Sequence, residues 1–334
     1  MKVLFCEVED WEKDFLKNKL SNFDLEFIDD GVVSSQADSA KEAEIISIFV
    51  GSQVNKDVLE KFPNLKMIAT RSTGFDHIDL QATKEKNVVV CNVPTYGENT
   101  VAEHTFGLIL NLSRKIYQSI ERVRKVGFLP DGLCGFDLKG KTIGVVGMGH
   151  IGQHVARIAA GFEMNVLAFD VNQDKKLAKQ LGFKYATMED LLANSDIITL
   201  HVPYNQHTHH LINLNNISHI KKGAYLINTS RGGVVQTDAL TKALDEKILA
   251  GAGLDVLEGE HELGEEIELL SQKINNNQVD FKMLLQDHML MERENVIITP
   301  HNAFNSIEAL ERILQTTVEN IKAFESGKSI NTIS

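Results

Sequence analysis

The stretch Thr142–Asp170, TIGVVGMGHIGQHVARIAAGFEMNVLAFD, limits the fold more than any other part of the chain. A short apolar run, Ile143 to Val146, reads as a buried strand. Gly147, Gly149 and Gly152 follow in the spacing G-x-G-x-x-G. Ile151, Val155, Ile158 and Ala159 then fall on one face of a helix. A second apolar run, Val166 to Phe169, ends in Asp170. The order is strand, tight turn, helix, strand, acid. Each glycine has a physical task. Gly147 permits the turn, Gly149 lets the backbone approach a pyrophosphate, and Gly152 lets the helix lie against the strand. The helix N-terminus offers free N–H groups and partial positive charge to phosphates. Asp170 is placed to accept from a ribose 2′-OH and to repel a 2′-phosphate, so the site favours NAD over NADP.

The length of 334 residues suggests two domains. The formal net charge of −12 argues against nucleic-acid backbones and anionic membranes as partners. An anionic substrate stays compatible with it, because local charge at a site can oppose the net sign. The N-terminal run MKVLF is broken by acids and reads as a strand, not as a secretion signal. No apolar stretch approaches the length of a membrane span. Cys6, Cys91 and Cys134 are widely spaced and odd in number, which suits a reducing cytoplasm and shows no zinc pattern.

Residues 1–98 alternate strand and helix, with strands at Val3–Cys6, Glu44–Val50, Lys66–Thr70 and Val88–Asn92. The turn RSTGFDHIDL (71–80) follows a strand and can turn backbone N–H groups toward a small anion. Thr100-x-x-Glu103 forms a capping box for a helix that turns Val101, Thr105, Leu108, Ile109, Leu112 and Ile116 inward. A basic patch follows (Arg114, Lys115, Arg122, Arg124, Lys125) and reads as a solvated face. Between Glu258 and Asn295 lies an acidic insertion, in which Phe281, Leu284, Leu285 and His288 are spaced as on an amphipathic helix. Asn305-x-x-Glu308 caps a last helix to about Phe324, with Ile307, Leu310, Ile313, Leu314 and Val318 inward.

In a doubly wound sheet, ligands sit outside the carboxyl ends of the strands. From Gly140 onward those ends carry the glycine loop, Asp170, His201-Val202-Pro203, Thr229-Ser230-Arg231, Asp255 and His301. Hydride transfer to a carbonyl needs a proton donor for the forming alkoxide, a positive group that orients the substrate, and a means to keep the donor protonated. His301 is the natural acid/base. Arg231 is the natural carboxylate clamp, with a bidentate fork that lysine lacks. A carboxylate beside His301 favours the imidazolium, and Asp255, Glu258 and Glu260 all qualify by spacing. Adjacent histidines at His207, His209 and His210 lack a carboxylate or cysteine at ligand spacing, so no metal is expected.

With these residues in view, the chain resembles the D-isomer-specific 2-hydroxyacid dehydrogenases over nearly its whole length. The likeness rests on VGMGHIGQHVA, Asp170, THHLIN (208–213), LINTSRGGVV (226–235), GLDVLEGE (253–260) and ITPHNAF (298–304). RSTGFDHIDL, VPTYGENTVAEHTF and the insertion before NVIITPH are most similar to the D-lactate dehydrogenase branch. The resemblance implies two doubly wound α/β domains: a flavodoxin-like substrate domain (1–98 plus 303–334) and a Rossmann NAD-binding domain (99–302). Hinges near Asn99 and Asn302 would let the domains close. It implies a catalytic trio of Arg231, Glu260 and His301. Gly147, Gly149, His150, Ile151, Gly152, Asp170, Val202, Pro203, Thr208, Thr229 and Asp255 would meet the cofactor, with His150 where relatives often place arginine. Thr73, Gly74, Tyr96, Arg231 and Phe304 would meet the substrate. It further implies a cytoplasmic homodimer, formed through the cofactor domain with the 100–116 helix contributing. The implied reaction is reversible, NADH-dependent reduction of pyruvate to D-lactate. Glyoxylate, hydroxypyruvate or a branched 2-keto acid are alternative substrates, and an NAD(H)-sensing binding protein of the same fold is a more distant alternative.

Overall fold

The computed structural model of the chain describes residues 1–32, 40–260 and 281–333. Its strands are β1 (Lys2–Phe5), β2 (Asp24–Phe27), β3 (Ile45–Ile48), β4 (Met67–Thr70), β5 (Val89–Cys91), β6 (Thr142–Val146), β7 (Asn165–Phe169), β8 (Lys184–Tyr185), β9 (Ile197–Leu200), β10 (Ala224–Asn228), β11 (Leu249–Leu254), β12 (Val296–Ile298) and β13 (Thr332–Ile333). They form two sheets. The chain divides into two compact units, one of Met1–Gly97 with Asn305–Ser334 and one of Glu98–Phe304.

The first unit holds a sheet in the order β13-β5-β4-β3-β1-β2, parallel except for β13. The order 2-1-3-4-5 of its parallel strands is that of a doubly wound, flavodoxin-like sheet. Strands β3 and β4 are buried along their whole length. Their mostly apolar sequences, IISI and MIAT, reflect a sheet covered on both faces. Leu4, Ile46 and Ile68 pack with Val58 and Leu59 of the helix Lys56–Lys61. Val3, Phe5, Ile45 and Met67 pack on the other face with Leu16, Leu314, Val318 and Ile321. Of the three strands absent from the sequence reading, β2 and β13 are the edges of this sheet and β8 is an edge of the other. The sheet of the second unit runs β12-β11-β10-β9-β6-β7-β8, parallel throughout. This is the Rossmann order 3-2-1-4-5-6 with one strand added, and its switch point lies between β6 and β9. Ile143, Val145 and Val166 face Phe106 and Ile109 of the helix Glu98–Arg114 and Val155 and Ala159 of the helix His150–Gly161. Ile198, Leu200, Leu226 and Leu254 face Ala239 and Leu240 on the other side.

Five local expectations are corrected. The first long helix starts at Glu98, so Thr100 is buried inside it and does not cap it. It ends at Arg114, because Lys115 adopts φ +50°, and Ile116 opens a separate, outward-facing helix, Ile116–Lys125. The last helix, Ile307–Glu325, is capped by Ser306, whose Oγ accepts from the amide of Ala309 (3.2 Å), and not by Asn305. Ile307 lies in its first turn, ahead of the buried stripe that begins at Ala309, and is 73% exposed. In the acidic insertion the helix Phe281–Met291 is present, yet Leu285 points outward while Leu290 is buried. The part of that insertion from 261 to 280 lies outside the described residues.

Arg71 is 2% exposed at the end of β4. Its guanidinium donates to the carbonyls of Cys6 (2.7 Å) and Glu7 (2.6 Å) and to Ser47 Oγ (3.2 Å), tying the carboxyl ends of β1 and β3 to β4. A buried carbonyl stripped of its donor is expensive. Arg71→Leu is expected to destabilise this unit by about 2–5 kcal/mol. Urea unfolding followed by Trp11 emission checks this, because the chain's one tryptophan sits in the helix Asp10–Lys19 of the same unit. An unchanged midpoint would show that the carbonyls find other donors.

Candidate active site

At the switch point of the second unit, β6 runs into the glycine turn. Gly147 adopts φ +94°, and a Cβ there would fall 2.3 Å from the carbonyl oxygen of His201. A Cβ on Gly152 would fall 2.0 Å from the carbonyl oxygen of Gly147, so the helix His150–Gly161 lies directly on the turn. Gly149 is the N-cap of that helix, carries no side-chain cap, and faces open space where its Cβ would stand. An uncapped helix end beside an open backbone fits a pyrophosphate. Asp170 at the end of β7 accepts from the amides of Met148 (2.7 Å) and Asn172 (2.8 Å), one on each oxygen. A carboxylate has about four lone-pair sites, so acceptor capacity remains for a ribose hydroxyl. These groups fit a dinucleotide. His150 is exposed and Ile151 half-buried in the first turn. Val202 stands against Gly147, with Cγ1 3.0 Å from where a Cβ would be. Thr208 Oγ1 donates to the carbonyl of Pro203 (2.6 Å), closing the loop after β9. Thr229 is buried, its hydroxyl 3.0 Å from that of Thr105.

Two histidines stand after strands in this unit, and their surroundings differ. His201 has an enclosed ring whose Nε2 lies 2.8 Å from Thr199 Oγ1. Its Nδ1 has no partner among the described residues. Burial pushes its pKa down to about 3, so it is neutral at physiological pH and is no proton donor. His301 is half-exposed, and its Nδ1 donates to Glu260 Oε1 at 3.1 Å. That contact leaves Nε2 for other work.

Spacing left three carboxylates open for His301, and the structure separates them. Glu260 meets His301. Glu258 is occupied by His210 and Thr237. Asp255 is 1% exposed and holds the loop that carries His301. It accepts from the amides of Asn302 (3.1 Å) and Ala303 (2.9 Å) and from Thr299 Oγ1, while its backbone oxygen accepts from the amide of His301 (2.8 Å). His301 sits in the left-handed region at φ +48°, a conformation that surrounding bonds must impose on a residue with a Cβ. Thr299 Oγ1 donates to Asp255 and so accepts from His104 Nε2 at 3.0 Å. His104 and Thr299 were missed by the sequence reading. A histidine on a helix gives no local sign that the topology will lay it beside the end of β12.

Arg231 ends the loop after β10, and its Nη1 donates to the carbonyl of Ser230 (2.8 Å). Asn228 fixes the loop by donating from Nδ2 to the carbonyl of Arg231 (2.9 Å) and accepting from Ser230. Phe304 is the last residue of this unit and is half-exposed. In the first unit, the turn after β4 is pinned from both sides. Thr73 Oγ1 donates to the carbonyl of Val93 (2.8 Å), Asn92 Nδ2 donates to the carbonyl of Thr73 (2.8 Å), and Ser72 Oγ donates to that of Gly74 (2.6 Å). Tyr96 follows, its carbonyl accepting from Arg312 Nε (2.5 Å). Among the described residues no group of three or more His, Cys, Asp or Glu is arranged to hold a metal ion.

Comparison with known proteins supplies a second, independent line. Residues 106–303 match the family model of the D-isomer specific 2-hydroxyacid dehydrogenase, NAD binding domain. The chain is 38% identical over 317 residues to a 2-hydroxyacid dehydrogenase homolog of Zymomonas mobilis, covering 94% of this chain and 93% of the relative. It is 36% identical over 336 residues to a D-lactate dehydrogenase of Escherichia coli, covering 98% of each. The crystal structure of D-lactate dehydrogenase from Aquifex aeolicus, complexed with NAD and lactic acid, superposes with a TM-score of 0.87 at 39% identity, over 99% of this chain and 100% of that one.

The glycine turn yields a direct expectation for the cofactor, which is NAD. Gly152→Ala drives a methyl group into the carbonyl of Gly147 and is expected to raise the NADH dissociation constant at least about tenfold, or roughly 1.4 kcal/mol. Fluorescence titration of NADH measures it, and an unchanged constant would mean the turn relaxes freely.

Proposed function

This chain belongs to the D-isomer specific 2-hydroxyacid dehydrogenases, an NAD-dependent enzyme family, and within it we propose a D-lactate dehydrogenase that reduces pyruvate to D-lactate. The observation that carries the reading is the bond from His301 Nδ1 to Glu260 in the unit that also holds Arg231 and the glycine turn. Full-length similarity to a D-lactate dehydrogenase crystallised with lactic acid supports the choice of substrate.

Bound NADH supplies the hydride. The chain's own residues do the rest. Arg231 grips the substrate carboxylate through its bidentate fork and polarises the neighbouring carbonyl. His301 delivers a proton from Nε2 to the oxygen that becomes the hydroxyl, and Glu260 at Nδ1 fixes the orientation of the ring. Asp255 keeps the His301 loop in place. The unit Met1–Gly97 with Asn305–Ser334, within two residues of the 1–98 plus 303–334 expected from the sequence, is the substrate domain of this reading, with Thr73, Gly74 and Tyr96 meeting the substrate together with Phe304. Glycine-loop residues, Asp170, Val202, Pro203, Thr208 and Thr229 serve the cofactor. A cytoplasmic setting belongs to the same reading and is supported by three free thiols, of which Cys134 is exposed. No helix of the described residues is long and apolar enough to cross a membrane.

The reading includes a homodimer. The helix Glu98–Arg114 spends its apolar stripe on its own unit, so the face that serves is the one after it. Tyr117, Ile120, Val123, Val126, Phe128 and Leu129 are all exposed, Phe128 at 93%. So many exposed apolar side chains within one short segment support an interface there. Its charged flank is already paired, with Lys125 and Arg124 on Glu121.

Three outcomes are expected. NADH oxidation with a panel of 2-keto acids, followed by chiral analysis, gives D-lactate from pyruvate as the favoured reaction, and His301→Ala lowers kcat about 10²- to 10⁴-fold. Preference for glyoxylate, hydroxypyruvate or a branched acid would keep the mechanism and move the substrate, and near-native turnover of the variant would remove His301 from its role. Sedimentation velocity separates a dimer of the native chain from a monomer of the Phe128→Asp variant. An identical sedimentation coefficient for the two would place the interface elsewhere.

A further inference from the structure

Arg231 opens a tight turn, Gly232–Val234, that leads into the helix Thr237–Asp245. Two other loops grip this turn. From one side, the amide of His210 donates to the carbonyl of Gly233 (2.8 Å), that of Ile212 to the carbonyl of Val234 (3.2 Å), and that of Gln236 to the carbonyl of Ile212 (2.9 Å). From the other side comes the loop after β11. A Cβ on Gly232 would fall 1.9 Å from the carbonyl oxygen of Leu257 and 2.6 Å from the amide nitrogen of Glu258, so backbone lies on backbone.

One carboxylate joins all three. Glu258 Oε1 accepts from His210 Nε2. Its Oε2 accepts from the amide (2.9 Å) and the hydroxyl (2.7 Å) of Thr237. Glu258 stands two positions before Glu260 in the same loop. The group that binds the arginine turn therefore shares its loop with the group that orients His301. Burial works to raise the Glu258 pKa, but the bonds from His210 and Thr237 prevail and hold the carboxyl below its usual range. His210 is itself fixed, at φ +49°, with its carbonyl accepting from Asn213 Nδ2 (2.7 Å) and its ring stacked on that of His209 (3.8 Å between centroids). Tyr204 holds His209 through its hydroxyl, 2.9 Å from Nδ1.

The geometry points to His210 and Glu258 as a positioning pair for the substrate-carboxylate clamp, which sets Arg231 against the loop of Glu260 and takes no part in proton or hydride transfer. The inference rests on the role proposed above for Arg231. A displacement of about 1 Å at a reacting group is worth about 10²-fold in rate, so the pair matters without touching the substrate.

The test uses the full chain and the variants Glu258→Ala, Glu258→Gln, His210→Ala and the double alanine variant, each checked by thermal melting. Glu258→Ala and His210→Ala are expected to lower kcat/KM for pyruvate about 10- to 100-fold, chiefly through KM, while the NADH dissociation constant stays within about twofold of native. Glu258→Gln, which keeps an oxygen for Thr237, recovers most of the loss even if the alanine variants fold poorly. The double variant is no worse than the poorer single one, because the two residues act as a unit. Unchanged kcat/KM in the variants, with a native chain that reduces 2-keto acids, overturns the inference alone, as does a loss shared equally by NADH binding or one that adds between the two sites. A native chain that reduces no 2-keto acid removes the role of Arg231 and the inference with it.

Discussion

A carboxylate shut away from water must be surrounded by donors, and that requirement shapes the business end of the second unit. Removing an ion of this size from water carries a penalty of several kcal/mol. Asp255 meets it with the amides of Asn302 and Ala303 and the hydroxyl of Thr299. To bring those amides round, the chain must turn sharply after β12, and the sharpest point is His301 at φ +48°. The orientation of the half-exposed histidine is thus fixed by a residue that solvent does not reach. The same logic recurs at Glu258, whose donors come from two further loops. Parallel strands make this possible, because every loop of consequence leaves from the same edge of the sheet.

The features with a strict local cause could be read from the chain alone. Gly147, Gly149 and Gly152 are spaced by the turn they make, and Asp170 by the length of one helix and one strand. The fully buried strands announce themselves as mostly apolar runs. What could not be read was anything decided by a neighbour distant in sequence. Asp255, Glu258 and Glu260 leave one strand end together, and spacing treats them alike, yet Asp255 and Glu260 turn to the backbone and the histidine ring of the loop after β12 while Glu258 turns to His210 and Thr237. His104 looks like any helical histidine until the sheet order lays its helix against β12. The Thr100–Glu103 pattern satisfies a capping rule, but Glu103 reaches back to Asn99 within a helix already under way. Strands β2, β8 and β13 were silent because each lies at an edge and is only partly covered.

His201 and His301 show how little residue type decides by itself. Both stand just beyond a strand of the same sheet. One has an enclosed ring, stays neutral and packs beside the glycine turn. The other is half-exposed and paired with a carboxylate. Burial makes the ring of the first part of the scaffold, and the Glu260 contact of the second engages Nδ1 alone.

The path of the chain has a consequence for how the protein is made. The second unit is one continuous segment, whereas the first is split, and its sheet and helix layer are completed only by the last thirty or so residues, through Leu314, Val318, Ile321 and β13. Domains fold as units during synthesis as soon as their sequence has emerged. On the ribosome, the order of maturation is therefore inverted. The unit begun first must wait, its apolar sheet lacking part of one cover, until residues 305–334 have been made, while the inserted unit already has everything it needs. The N-terminal ninety-odd residues are the ones a chaperone would have to shelter.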